Sequence, residues 1–347
     1  VSSPPGLDLD SLQPFLAAHV EGLEPPLWAE VIPGGRSNLT YVVGDASRRW
    51  VLRRPPLAHV LPTAHDMSRE YRMLEALRDT IPVPRVIAYC DDDSIIGARF
   101  YVMEHVDGHI VRDRLPAAFA PVPATRSAMA RALVETLVAL HAVEPAAVGL
   151  GDFGHPAGFL ERQLRRWWQQ WEASKTRALP AIEELHRRLE ATVPEQSPPG
   201  IVHGDYRLDN VMFAPADPAT VVAVLDWEMS TVGDPLCDLG LLLVYWADRP
   251  DDVAAEALHG GTVTSQEGFF TRRQIIEAYR AQSARDLSSL DWYVALGSYK
   301  LAIIAEGIHA RFLMGMTVGA GFESVGAMVP AIVEGALEVM ANVTPAQ

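Results

Sequence analysis

Three oxygen-bearing side chains fall close together along this sequence at spacings that suit work on a phosphoryl group. The stretch Ile201-Val202-His203-Gly204-Asp205-Tyr206-Arg207-Leu208-Asp209-Asn210-Val211-Met212-Phe213 puts an apolar strand ahead of a polar loop. A second apolar run, Val222-Ala223-Val224-Leu225, ends in Asp226-Trp227-Glu228. The order strand, polar loop, strand, carboxylate predicts that Asp205, Asn210 and Asp226 converge in one cleft. Phosphoryl transfer requires such a set: a carboxylate that accepts the proton of an attacking hydroxyl, and hard oxygen ligands for Mg²⁺ on the phosphates. The bland alternative is turn residues capping strand ends, which three groups at these spacings make a poor fit.

The pattern His-Gly-Asp, four residues, Asn, then an apolar strand ending in Asp resembles the aminoglycoside phosphotransferase and choline kinase family, which shares the protein-kinase fold. Within it, Asp226-Trp227-Glu228 and Gly233-Asp234-Pro235-Leu236-Cys237-Asp238-Leu239 are most similar to the branch found beside or fused to acyl-CoA dehydrogenases. The resemblance implies Asp205 as catalytic base, Asn210 and Asp226 as Mg²⁺ ligands, ATP as phosphate donor, and His203 as a residue holding the loop. Arg207 stands where protein kinases carry a phosphate-contacting lysine, so a γ-phosphate contact and a surface ion pair are both open to it. Glu228 serves a second metal or caps a turn. Asp238 is expected to open a helix and to bond back to the catalytic loop.

The nucleotide side is read upstream. Gly34, Gly35, Ser37 and Asn38 lie in a glycine-containing turn whose N–H groups can cradle phosphate, although a plain hairpin contains the same residues. Arg53 takes the place of the kinase lysine that pairs the α- and β-phosphates, and Glu70 that of its helical partner. Arginine keeps the charge in a bulkier, bidentate head, and that departure motivates a second class of reading, a nucleotide-binding pseudokinase. The segment Phe100 to Gly108 resembles the hinge, where backbone groups of Glu104 to Val106 would bond the adenine edge. Met103 is either core or a gate beside the base.

Positioning these groups requires two kinds of scaffold. From Glu30 to Val106 short β-branched and aromatic runs (Leu39 to Val43, Trp50 to Arg53, Phe100 to Met103) alternate with turns, interrupted by a helix from His65 to Arg78. Beyond Val106, helical periodicity dominates: Ala124 to Val143, Gly158 to Trp171, Leu179 to Leu189, Arg272 to Ser283 and Leu290 to Leu313. The expected fold is α+β, protein-kinase-like and two-lobed. A small β-rich nucleotide-binding lobe spans residues 1–105, and a larger helical lobe for catalysis and substrate spans 106–347.

Composition narrows the partners. The 347 residues carry 29 Lys+Arg against 44 Asp+Glu, a net charge of −15 that repels a polyanion, so nucleic acid is excluded as an expected partner. The longest apolar run, Leu239 to Ala247, is too short to span a bilayer. With two separated cysteines, Cys90 and Cys237, a reducing cytoplasm is the expected compartment. Asp91-Asp92-Asp93 reads as a solvated turn, and His105 and His109 as loop residues without a metal. Trp167 and Trp171 form an apolar helix face, either helix packing or a wall of an acceptor pocket, beside Arg162, Arg165 and Arg166. The activation segment after Asp226 is too short to dock a peptide, so the acceptor is a small hydroxylated molecule. A hydroxyacyl thioester or related hydroxy metabolite ranks ahead of an aminoglycoside.

Overall fold

The computed structural model describes residues 3–32, 38–57, 66–250, 263–316, 321–341 and 343. The chain divides into two compact units, Val1–Asp107 with Val222–Ser230, and Gly108–Val221 with Thr231–Gln347. The stretch that delivers Asp226 therefore returns to the first unit, which a single cut of the sequence near residue 105 does not anticipate.

The first unit is built on an antiparallel sheet of order β1-β2-β3-β5-β4: β1 Trp28–Val31, β2 Leu39–Gly44, β3 Arg49–Arg54, β4 Val86–Cys90 and β5 Phe100–Glu104. Successive side chains of a strand point to opposite faces, and this separates the two neighbouring arginines of β3. Arg53 pairs across to Tyr101 in register and reaches Glu70, while Arg54 donates to the carbonyls of Gly6 and Ile96 on the other face. Helix α1, Leu9–His19, lies outside the sequence expectation because Pro14 within it reads as a breaker. Asp8 caps it, accepting from the N–H groups of Asp10 and Ser11, and Leu12 and Leu16 pack with Tyr41, Leu52 and Phe100 in a closed apolar cluster. Helix α2, Met67–Leu77, is capped by Asp66 and carries Glu70 in its first turn. The end of β9 (Asp217–Val224) is tied to this unit by Val224 N–H, which donates to the Pro82 carbonyl at 2.7 Å.

The second unit is mainly helical: α3 Pro123–Ala142, α4 Phe159–Ser174, α5 Pro180–Ala191, α6 Leu236–Tyr245, α7 Arg272–Arg280, α8 Leu290–Leu313 and α9 Val325–Met340. Helix α8 is buried on almost every face, so it is the unit's axis rather than an amphipathic cover. Helix α6 packs on it so closely that a Cβ on Gly240 would stand 2.5 Å from the Tyr293 carbonyl group. Two small sheets complete the unit: β7 (Gly200–Val202) with β10 (Thr231–Gly233), and β6 (His109–Ile110) with β8 (Val211–Ala214) and β9. The loop from His203 to Asn210 is suspended between β7 and β8, so both of its ends are fixed by sheet hydrogen bonds.

Candidate active site

In the second unit the loop closes on itself around Asp205. Asn210, 7% exposed, donates through Nδ2 to both the backbone carbonyl and the carboxylate of Asp205, at 2.8 and 3.0 Å. Arg207 Nε lies 3.3 Å from Asp205 Oδ2, and its terminal nitrogen 2.9 Å from Asp209 Oδ2. Its side chain is 13% exposed, so the surface ion pair considered from sequence is in fact an enclosed one. The guanidinium stacks over the Tyr245 ring, 4.9 Å from its centre. Tyr245 in turn hydrogen-bonds Asp205, and burial followed by that carboxylate drives its hydroxyl well above the usual tyrosine range. Burial also raises the Asp209 carboxyl, against the pull of Arg207.

Behind the loop stands Asp238, fully buried in the first turn of α6, as the sequence suggested. Its carboxylate accepts from the N–H groups of His203 (2.6 Å) and Gly204 (2.8 Å) and faces His141 Nε2 at 3.4 Å. Burial alone would raise this carboxyl, but the His141 contact and the loop amides outweigh it and hold it below the ordinary range. Gly204 adopts φ +85°, a left-handed conformation that a side chain would strain. Beside the loop a small cleft is lined by Arg112, Arg207, Asp209, Tyr245, Trp246 and Thr264, among others.

In the first unit a second cluster forms around Arg53. Its Nε lies 3.3 Å from Glu70, and one terminal nitrogen lies 3.1 Å from Asp226 and 4.0 Å from Glu228. Burial opposes the Arg53 charge, yet Tyr101, Glu70 and Asp226 together hold the guanidinium above its ordinary value. Glu70 is 2% exposed and accepts from Asn38 Nδ2 (2.7 Å) and Tyr101 Oη (2.8 Å). Burial raises its carboxyl despite Arg53. Asn38 also donates to Glu228 at 3.3 Å, and among the described residues its own buried Oδ1 has no hydrogen-bond partner. Asp226 has φ +66°, the only positive value at a non-glycine among the described residues; backbone strain of this kind accumulates at working sites.

The predicted residues thus fall into two groups, Asp205, Arg207 and Asn210 in one unit, and Asn38, Arg53, Glu70 and Asp226 in the other. Gly34, Gly35 and Ser37 lie outside the described residues. Glu104 donates its N–H to Arg85 and accepts the Arg85 N–H on its carboxylate, so its side chain braces the end of β5; Val106 follows in irregular chain. Met103 is buried in the sheet, 7% exposed. Asp92 caps the Ser94 N–H, which is a turn role. Asp226 and Glu228 in the first unit, and Asn210 in the second, each offer hard oxygens of the kind that Mg²⁺ takes. Asn38 Oδ1, unpartnered among the described residues, is an acceptor that fits a donor or a cation, whereas the enclosed Arg53 cation fits an anionic group. Among the described residues no three His, Cys, Asp or Glu side chains are grouped as a ready metal site, and no helix is long and apolar enough to cross a membrane.

Two residues at the loop escaped sequence reasoning. Tyr245 closes the apolar run of α6, where its polar tip was the available signal. Lys300 on α8 donates to the Gly204 carbonyl at 2.5 Å, and its signal was compositional: it is one of two lysines beside 27 arginines.

Known proteins extend the picture. Rat and human acyl-CoA dehydrogenase family member 11 are each 36% identical over 89% of this chain, which spans about two fifths (40%) of their length. A homoserine kinase of Methylobacterium nodulans is 29% identical over 55% of the chain and 52% of its own length. A crystal structure from Ralstonia eutropha, assigned as an aminoglycoside phosphotransferase, superposes with TM-score 0.82 at 32% identity, covering 97% of this chain and 99% of that one. The aminoglycoside phosphotransferase APH(4)-Ia, solved with AMP-PNP and hygromycin B, shares the fold at 14% identity, TM-score 0.60, over 96% and 99% of the chains. The profile of the phosphotransferase enzyme family (APH) matches residues 28–274. The protein is accordingly a member of the phosphotransferase enzyme family, with an α+β kinase-like fold.

Proposed function

We propose that this chain transfers the γ-phosphate of ATP, with Mg²⁺, to the hydroxyl of a hydroxyacyl thioester or a closely related hydroxy metabolite. The carrying observation is the way Asp205 is held: amide, guanidinium and phenol all converge on one carboxylate in a loop braced from behind by Asp238. In this reading Asp205 orients the acceptor hydroxyl and takes its proton as the new P–O bond forms. Arg207 steadies charge on the transferred group. Arg53, backed by Glu70, binds phosphate oxygens of the nucleotide, and the turn containing Gly34, Gly35, Ser37 and Asn38 covers them. The Val106 and Glu104 backbone meets the adenine edge. Asn210 and Asp226 hold Mg²⁺, assisted by Glu228; the ion, when bound, neutralises phosphate charge. The first unit serves the nucleotide and the second serves catalysis and the acceptor.

The choice of acceptor draws on the likeness to acyl-CoA dehydrogenase family members, in which a phosphotransferase-like segment accompanies the dehydrogenase name. Beside the loop, Arg112 and Arg207 with Asp209 stand next to apolar Leu242 and Trp246, side-chain types that would meet both the polar and the apolar parts of such an acceptor. The second reading, an aminoglycoside, rests on the likeness to the Ralstonia chain.

The test is a Mg·ATP reaction over 3- and 4-hydroxyacyl-CoAs, free hydroxy acids, aminoglycosides, choline and sugars, read by the mass shift of the acceptor. Phosphorylation of a hydroxyacyl thioester, lost in Asp205→Ala, is the expected result. Transfer to an aminoglycoside alone makes the second reading correct.

A further inference from the structure

Lys300 is out of character for this sequence. Cations elsewhere are arginines, and the other lysine, Lys175, is an ordinary surface residue paired with Glu172 three positions earlier on the helix. Lys300 instead projects from the buried helix α8, between Tyr299 and Leu301, both wholly buried. Its ammonium donates to the Gly204 carbonyl at 2.5 Å and lies 5.6 Å from the centre of the Trp167 ring. The titratable and charged groups around it are Asp205, Asp238, Cys237 and Arg166; burial lowers its pKa, the first three oppose that shift, and Arg166 adds to it.

The peptide joining Gly204 to Asp205 is held at both polar atoms. Its carbonyl accepts from Lys300, and its N–H donates to His203 Nδ1 at 3.2 Å. The preceding peptide donates its N–H to the buried carboxylate of Asp238. The backbone that sets the direction of the Asp205 side chain is therefore fixed by an anion on one side and a cation on the other. A peptide plane so held cannot rotate without breaking a charge-assisted bond, which is stronger than a neutral one. An ammonium is a compact point charge, whereas a guanidinium is a broad planar fork. At Gly204 a single carbonyl is the acceptor, a contact that one compact ammonium meets without a fork.

We propose that Lys300 is a positioning residue for Asp205, acting through the Gly204 carbonyl and through its charge on the Asp205 carboxylate. The role in turnover rests on the phosphotransfer reading above, while the coupling between the two side chains does not. With only two lysines, the full chain labelled at lysine Cε and Nζ gives two side-chain NMR signals, assigned by Lys175→Arg. Asp205→Asn should move the Lys300 signal and leave that of Lys175 in place; an indifferent Lys300 signal overturns the proposal.

Turnover supplies the second arm. Lys300→Met should lower kcat about 10²-fold, the scale of a misplacement of about 1 Å, with the KM for ATP changed less than about twofold. In an Asp205→Asn background the same substitution should cost less than about twofold, because a residue acting through Asp205 has nothing left to act on. Equal losses in both backgrounds mean a merely structural lysine and overturn the proposal. Should Lys300→Met fail to fold, Lys300→Arg takes its place in the same cycle. If the parent phosphorylates no acceptor, the phosphotransfer reading fails, and the NMR arm still decides whether Lys300 and Asp205 are coupled.

Discussion

The charged cluster of the first unit and the loop of the second are held by different means. Around Arg53 the bonds run from side chain to side chain, between a strand, a helix, a turn and the Asp226 segment. At Asp205 the buried carboxylate of Asp238 and the partly buried ammonium of Lys300 grip backbone atoms, and the side chains are arranged on that fixed frame. Side-chain ion pairs can exchange partners when a charged ligand arrives, because each end is a flexible stem. Backbone groups bound to buried charges cannot, because moving one leaves an unpaired ion in a dry interior. The first arrangement suits a site that admits and releases a nucleotide, the second a base that must stay in one orientation.

The largest effect is expected at the centre of the rigid group. Asp205→Ala should lower turnover about 10³-fold or more, within the range for a lost general base, with unfolding by urea almost unchanged because Asp238 still grips the loop. Steady-state kinetics on the phosphorylated acceptor measure it. Turnover near that of the parent would remove Asp205 from the chemistry and end the contrast between the two regions.

Asp238→Ala should act on stability first. Removing a buried anion strands the His203 and Gly204 amides and His141, a loss of about 3–5 kcal/mol read by urea denaturation. The pH dependence has a definite sign. The folded-state pKa of Asp238 lies below its ordinary value, so its contribution is present above that value and is lost as pH falls through the folded-state value. Asp238→Asn should therefore flatten the acid limb of the stability curve. A curve that kept its full acid limb would place the acid-sensitive brace elsewhere in the loop.

Arg53→Ala tests the exchangeable group. Loss of a charge-assisted contact should weaken ATP binding about tenfold or more by calorimetry, with kcat at saturating ATP reduced less than KM is raised. Unchanged ATP affinity would mean that the Arg53 pairs serve only the fold. Arg53→Lys retains the charge without the fork and should fall between the parent and Arg53→Ala.

The same contrast explains why the amino-acid sequence reveals some of these parts and conceals others. The rigid loop is contiguous: His203, Gly204, Asp205, Arg207 and Asn210 occur within eight residues, and their order carries the chemistry. The strands around Arg53 and the helix of Glu70 are legible from periodicity, since period 2 and period 3.6 separate cleanly there. Alternation on β3 also decides between Arg53 and Arg54, a distinction that neighbouring identical residues cannot make by type alone. Long-range support is not legible. Tyr245 and Lys300 reach Asp205 from helices far along the chain, and nothing local marks a tyrosine or lysine as facing a particular loop. Helix α1 is hidden by Pro14. Helix α9 is hidden in the same way by Pro330, although Val325, Val329, Ile332, Val333, Ala336 and Met340 lie on one helical face.

The smallest effect is the one that best sharpens the comparison. Tyr245→Phe removes a single hydroxyl from Asp205 and keeps the ring under Arg207, so the cleft wall and the cation–π contact persist. One hydrogen bond to a charged group is worth roughly 1.5–3 kcal/mol. Asn210 and Arg207 still hold the same carboxylate, so the loss should sit at the low end, roughly tenfold in kcat, with ATP affinity unchanged. A loss as large as that of Asp205→Ala would show that side-chain partners, not the gripped backbone, set the base. No loss at all would show that the backbone frame suffices, and that Tyr245 shapes the cleft rather than the carboxylate.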